Sequence, residues 1–314
     1  MIQSALRPKL ERQPKVTGAY GRRLLMKLLP VLALLLCFNV TGTTLAQQKK
    51  NLDPNRPLAL VRTTPRHEVR RFGYGGTLTI VGAPAGSITI EGWSRNEVDI
   101  TAEIQLKADT EADLDLLAMF NGFIIDDDSN HIRVLSTGTH DKAFMRTVKK
   151  FPKHLLGLPW KIDYRIRVPI STDLEINAGR GPIRLAEVDG TIRLSAAESE
   201  TNLILSGGSI DATIAIGKVT LSIPSRSWRR GRADIRVGAG EINLELLSGF
   251  NGDVDADILR TGQIDNSYGG LEVRERPGLT PLIVRGRSGS GGGLIKLTLA
   301  DGKINIKKRV MSNE

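Results

Sequence analysis

The stretch SRSWRRGR, Ser225 to Arg232, carries the most individual chemistry in the chain. Arg226, Arg229, Arg230 and Arg232 surround Trp228, so the segment offers positive charge for an anion and a ring face for stacking. This chemistry could grip an anionic glycan, a lipid headgroup or a nucleic acid, and the partner expected is an anionic glycan or envelope component. The competing reading packs Trp228 over a sheet flank and leaves the arginines solvated, as isolated charge clusters usually are.

Other residue types that could do chemistry lack the spacing for it. His67, His131, His140 and His154 are far apart, and no two stand at the i, i+4 spacing of a metal pair. Cys37 is the one cysteine and lies in an apolar leader, so a mature chain without that leader has no thiolate nucleophile and no cysteine-bound zinc. Gly217-Lys218 and Gly302-Lys303 are followed by Val219 and Ile304, where a phosphate loop needs Ser or Thr. GRSGSGGG misses the spacing of a nucleophile elbow. Asp126-Asp127-Asp128 lacks the spaced acids and central glycine of a calcium loop, and Asp253, Asp255 and Asp257 alternate on one outward face that reads as solvated. No cofactor and no catalytic set follow from these residues.

What must position the basic loop is a long run of short alternating segments. From Lys161 the chain reads KIDYRIRVP, DLEINAG, GPIRLAEV, GTIRLSA, TNLILSG, GSIDATIAI, GKVTLSI, ADIRVGAG, GEINLELL and onward to GLIKLTLA and GKINIKK. The consensus unit is a glycine, a polar residue, then aliphatic, polar, aliphatic, which is the period of a half-buried strand. A repeat at this interval predicts an all-β, single-domain β-solenoid or β-helix-like stack in which each short strand lands beside its predecessor. Ile183, Leu185, Ile192, Leu194, Leu203 and Leu205 are its expected core. Arg184, Arg193, Asp211, Thr220, Arg236, Asn243, Asp255 and Lys296 are its expected water-facing side. An antiparallel sandwich gives similar strand spacing and is the alternative fold. One short helix is expected near 110–120, where DTEADLDLLAMF has Asp109 or Thr110 as N-cap and Leu114, Leu117 and Ala118 on one face. GTHDKAFMRTVKKFPKHLLGLPW interrupts the strands and reads as a long loop or insert.

The units LEINAGRGPIRLAEVDGTIRLSA, GEINLEL and GGGLIKLTLADGKINIKK, with the upstream GSITIEGWSRNEVDITAEI, resemble the bacterial putative-adhesin family over roughly Gly75 to Lys308. That resemblance implies an exported β-strand-repeat domain and assigns no site residues.

The 314 residues carry a formal net charge of +10, of which Met1 to Ala46, with seven Lys or Arg against one Glu, supplies +6 and the remainder +4. The excess thus belongs mainly to the leader, and no nucleic-acid partner is expected. Arg22, Arg23 and Lys27, the apolar run Leu28 to Val40, and Thr44-Leu45-Ala46 follow the grammar of a secretory signal peptide. Thirteen apolar residues fall short of the roughly 20 that span a bilayer, so no transmembrane segment should remain after cleavage. The expected organisation is a signal peptide over 1–46, a proline-rich flexible linker over 47–71, the strand-repeat domain over 72–309 and a tail over 310–314. The expected function is a non-catalytic exported protein of the periplasm, envelope or surface, an adhesin-like binding or scaffold module. The alternative is a β-helix-type carbohydrate-active enzyme with paired carboxylates on neighbouring strands.

Overall fold

The structure, a computed structural model, describes residues 60–309 except 129, 229 and 230. The expected signal peptide over 1–46, residues 47–59 of the expected linker, the expected tail over 310–314, and Arg229 and Arg230 lie outside the described residues. The fold is all-β: sixteen strands join in one mixed sheet that does not close on itself. A single apolar cluster runs along its inner side.

In chain order, β1 (Leu60–Arg71), β2 (Thr77–Val81), β3 (Ile88–Trp93) and β4 (Glu97–Ala108) lead to the helix α1 (Glu111–Phe120). Then come β5 (Gly122–Asp128), β6 (His131–Thr137), the short helix α2 (Lys142–Thr147) and a 3-10 turn at Lys153–Leu155. β7 (Trp160–Pro169), β8 (Asp173–Arg180), β9 (Ile183–Ala186), β10 (Thr191–Ile204), β11 (Ser209–Ile223) and β12 (Arg232–Leu246) follow. The chain finishes with β13 (Gly252–Asn266), β14 (Glu272–Val273), β15 (Ile283–Ser288) and β16 (Gly293–Lys308).

The repeat segments are not separate strands. GSIDATIAI and GKVTLSI form one strand, β11, bent at Gly217, and the same holds for the paired segments of β10, β12, β13 and β16. The glycine does take a corner, with φ of +146° at Gly217, but the segment after it does not fold back beside the segment before it. Ile210 pairs instead in parallel with Ile192, 18 positions earlier, and with Ala233, 23 positions later. The antiparallel alternative fails for the same reason, because β10, β11, β12, β16 and β13 are all mutually parallel neighbours. The corners fall in register: Gly217 beside Gly240, Gly240 beside Gly302, and Gly302 beside Gly262. A Cβ added to Gly240 would overlap the carbonyl oxygen of Gly217, so the column tolerates no side chain on that side.

Within each straight half the alternation holds. Ile192, Leu194, Leu203 and Leu205 are buried, with Ile183 and Leu185 beneath them, and Arg184, Arg193, Asp211, Arg236 and Lys296 are exposed. Asn243 departs from the expected facing: it is buried, and the side-chain amide of Asn305 donates to its oxygen at 2.8 Å. In-register amides on neighbouring strands satisfy each other, which water would otherwise do.

Two expectations about the irregular segments are corrected. Residues 60–71, read as linker, form β1, which pairs antiparallel with β4 from Leu60 opposite Ala108 to Arg71 opposite Glu97. Its half-buried positions are Leu60, Arg62, Arg66, Glu68 and Arg70, while Val61 and Val69 are exposed, so no apolar period marks it. The arginine stems do the covering: the Arg66 guanidinium sits 4.2 Å from the centre of the Phe123 ring and donates to the Phe123 carbonyl at 2.6 Å. The insert between β6 and β7 is likewise ordered, through α2 and the 3-10 turn. The Asp141 carboxylate caps α2 by accepting from Ala143 N at 2.8 Å and Phe144 N at 3.1 Å. The helix expected near 110–120 is α1, with Thr110 as its cap and Leu114 and Leu117 inward; Ala118 is exposed.

Candidate binding surfaces

The basic loop joins β11 to β12. Trp228 is 2% exposed, and the ring lies against Gly231 and Gly293, where an added Cβ at either position would crowd it. Its face is therefore not open for stacking on a ligand: a large apolar ring at the end of the ladder fills the gap that two glycines leave. Arg226 is exposed, and its carbonyl accepts from Asn251 N at 2.8 Å, which ties the loop to the start of β13. Arg232 is exposed at 63% of its side chain and stands 4.0 Å from the Asp234 carboxylate, whose closer partner is Arg236 at 2.6 Å. The structure thus keeps Arg226 and Arg232 at the surface and assigns Trp228 to the core.

The acidic runs meet arginines. On β13, Asp253 accepts from Arg287 at 2.7 Å and pairs with Arg274 at 3.2 Å; Asp255 accepts from Arg274 at 2.7 Å and Asp257 from Arg285 at 2.7 Å. Hydrogen bonding from Arg287 and then Arg274 outweighs burial and holds the Asp253 carboxyl below the ordinary range. On β5, Asp126 and Asp128 both face Arg133, at 2.8 and 3.4 Å, while Asp127 meets Arg70 at 3.3 Å. Among the described residues no three His, Cys, Asp or Glu converge as a metal site.

The histidines stay apart. His67 meets Asp99 at 2.8 Å, His131 meets Thr79 at 2.8 Å, and His154 meets Asp113 at 3.2 Å. His140 lies 5.1 Å from the Trp160 ring, and burial lowers its pKa.

One polar cluster was invisible in the sequence. Arg167 lies 4.5 Å from the Trp93 ring centre and Arg95 lies 5.1 Å from it. The Arg167 guanidinium also donates to Asp99 at 2.5 Å. Asp99 opposes Arg167 across the β4–β7 register, and only that register brings them together. Asp99 and Asp234 are the buried carboxylates among the described residues. They lie on β4 and β12, which are not neighbours in the strand order.

No family model matches the chain, and no curated protein matches it in sequence. Solved structures similar to it include bacterial putative adhesins. A putative cell adhesion protein from Clostridium sporogenes shares 14% identity at a TM-score of 0.46, with 78% of this chain and 100% of that chain covered. A putative adhesin from Bacteroides fragilis shares 11% at a TM-score of 0.25, covering 77% of this chain and 97% of that one. One from Parabacteroides distasonis shares 10% at 0.21, again over 77% and 97%.

Two further surfaces complete the inventory. A shallow open groove follows the glycine corners, with Arg180, Glu198 and Ile216 on one wall and Glu200 and Lys218 on the other. Gly181, Ser199 and Gly217 line it at the corner. The second is the outer side of the insert between β6 and β7, where Lys142, Arg146, Lys149, Lys150 and Lys153 are all exposed. Among the described residues no helix is long and apolar enough to cross a membrane.

Proposed function

We propose that this chain is a non-catalytic exported module of the cell envelope or surface, adhesin-like in binding or scaffolding other macromolecules across a long sheet face. In this reading the leader is removed after Ala46, and the bent strands from β10 to β16 coil as a β-solenoid, one bent strand to a turn. The observation that carries the reading is the charge order on the outer faces. Opposite charges stand side by side across parallel strands: Arg193 with Glu175 at 3.0 Å, Arg236 with Asp211 at 2.9 Å, Lys218 with Glu241 at 3.8 Å, Lys307 with Glu245 at 3.2 Å. Such a face offers extended, self-neutralised area for docking and no concentrated reaction centre.

An anionic glycan or envelope component is the ligand proposed for the arginine loop, carried by Arg226 and Arg232 with Arg229 and Arg230. Retention on a uronate polysaccharide column tests it. Replacing the four arginines by Ser should cut retention at least tenfold without lowering Tm, and the parent's binding should fade with salt, since exposed charges are screened over about 8 Å at physiological ionic strength. Trp228→Ala should act differently, costing about 3 to 5 kcal/mol of stability as a buried ring removed from its seat. A folded quadruple variant retained like the parent would sink the loop assignment.

A further inference from the structure

Most arginines of the sheet faces are answered by a carboxylate, whereas the insert between β6 and β7 gathers five cations with none. Lys142, Arg146, Lys149, Lys150 and Lys153 fall within twelve residues, and Asp141 is the one acid among residues 138–159. Asp141 is occupied in capping α2. Among the described residues the ion pair made by this segment is His154 with Asp113, and none of the five cations has a carboxylate within 4.0 Å. The acids of the adjoining helix are also taken: Glu111 and Asp115 both bind Arg62, at 2.6 and 2.7 Å.

The segment is held in place from below. Leu155 is fully buried, Phe151 meets the edge of Phe120 at a centroid distance of 5.2 Å, and Thr139 N donates to the buried Asn121 side chain at 2.9 Å. Lys150 is held at φ +62°, a conformation non-glycine residues seldom adopt, in the turn that leads from the lysine pair into the Phe151 anchor. Apolar side chains are left in water nearby in the chain: Leu156 on the segment itself is 46% exposed, and Met119, 67% exposed, precedes Phe120, the ring that Phe151 packs against. Positive charge and an exposed leucine on one ordered segment, with an exposed methionine on the helix it packs against, match the composition of an interfacial membrane contact.

We propose that this insert docks on an anionic lipid bilayer surface, with its five cations among the headgroups and Leu156 and Met119 at the acyl boundary. The residue choice favours lipid over glycan. Four of the five cations are lysines, compact point charges that need only proximity to an anionic surface, whereas directional recognition of a carboxylate or sulfate favours the arginine fork. Of the segment's two phenylalanines, Phe151 packs against Phe120 and Phe144 is half-buried on α2. This surface is separate from the arginine loop, so either assignment can fail alone.

Flotation of the exported protein with phosphatidylcholine vesicles, and with vesicles enriched in phosphatidylglycerol, tests the proposal. Binding should require phosphatidylglycerol and vanish in molar salt, where the screening length falls to about 3 Å. Changing all five cations to Gln should weaken binding by about three-thousandfold, at roughly fivefold per cation lost, with Tm unchanged. Lys142→Arg, Lys149→Arg, Lys150→Arg and Lys153→Arg together should keep it. Leu156→Ser with Met119→Ser should weaken it severalfold while leaving its salt dependence in place. The proposal is overturned if the five-Gln protein, still folded, floats like the parent. Equal binding to neutral vesicles, absence of binding to anionic ones, or a five-Gln loss confined to the uronate polysaccharide would overturn it as well.

Discussion

Asp253 shows what the exposed-looking acids of this chain do. Its position in the alternation Asp253, Asp255, Asp257 reads as solvated face, yet the side chain is 19% exposed and bound by Arg287 and Arg274. The arginines come from the segment after β13, which returns antiparallel beside it, and spacing within β13 cannot announce them. Arg287, first among the causes, depresses the carboxyl below its ordinary value. The stability this interaction lends is therefore fully present above the unfolded carboxylate pKa of about 3.9 and drains as pH falls through the lower folded value. Arg287→Met should be less stable than the parent at neutral pH, and the gap in Tm between them should narrow on acidification below about pH 4. A gap that stays constant across that range would mean that the pair contributes nothing through ionisation.

At the scale of the element, sequence reasoning finds the straight halves of the strands and misses how they are joined. Aliphatic alternation reports which side of a half-strand is buried, and Ile192, Leu194, Leu203 and Leu205 obey it. It does not report whether the glycine between two halves reverses the chain or merely bends it, since both need a backbone without Cβ. The in-register pairing of Gly217 with Gly240 and of Gly240 with Gly302 decides for a bend. β1 was missed for a different reason: as an edge strand it buries arginine and glutamate stems in place of aliphatics. The corner carries its own test. Gly240 has φ +138°, a region open essentially to glycine alone, and a Cβ there would strike the neighbouring carbonyl. Gly240→Ala should cost more than about 3 kcal/mol in denaturant unfolding. Gly249→Ala, at φ +73° with nothing within 4 Å of the new methyl, should cost about 1 to 2 kcal/mol. Equal costs would mean that the corner column is not closely stacked.

The order of strands across the whole sheet is the feature least legible in the sequence, because lateral order need not follow chain order. The ladder runs β10, β11, β12 and then β16, with β13 beyond it. The last strand of the chain thus occupies an interior slot, parallel to β12 on one side and β13 on the other. Its Ile295, Leu297, Leu299, Ile304 and Ile306 are fully buried, so the slot is core and not a capped edge. The chain reaches it across the start of β13, where Ser290 N donates to the Asn251 side chain at 3.1 Å. Parallel pairing between distant segments is slow to form, and here the ladder from β12 to β13 cannot be completed until the final sixteen-residue strand arrives. A chain ended after Gly292 should consequently lose cooperative unfolding altogether, exposing the facing edges of β12 and β13 to aggregation. Val273→Asp on the exposed outer strand β14 should leave Tm nearly unchanged. A peptide spanning Gly293–Lys308, supplied in trans, should restore a cooperative transition to the shortened chain. If that chain melts by itself at the parent's temperature, β16 is dispensable and its interior position in the sheet is wrong.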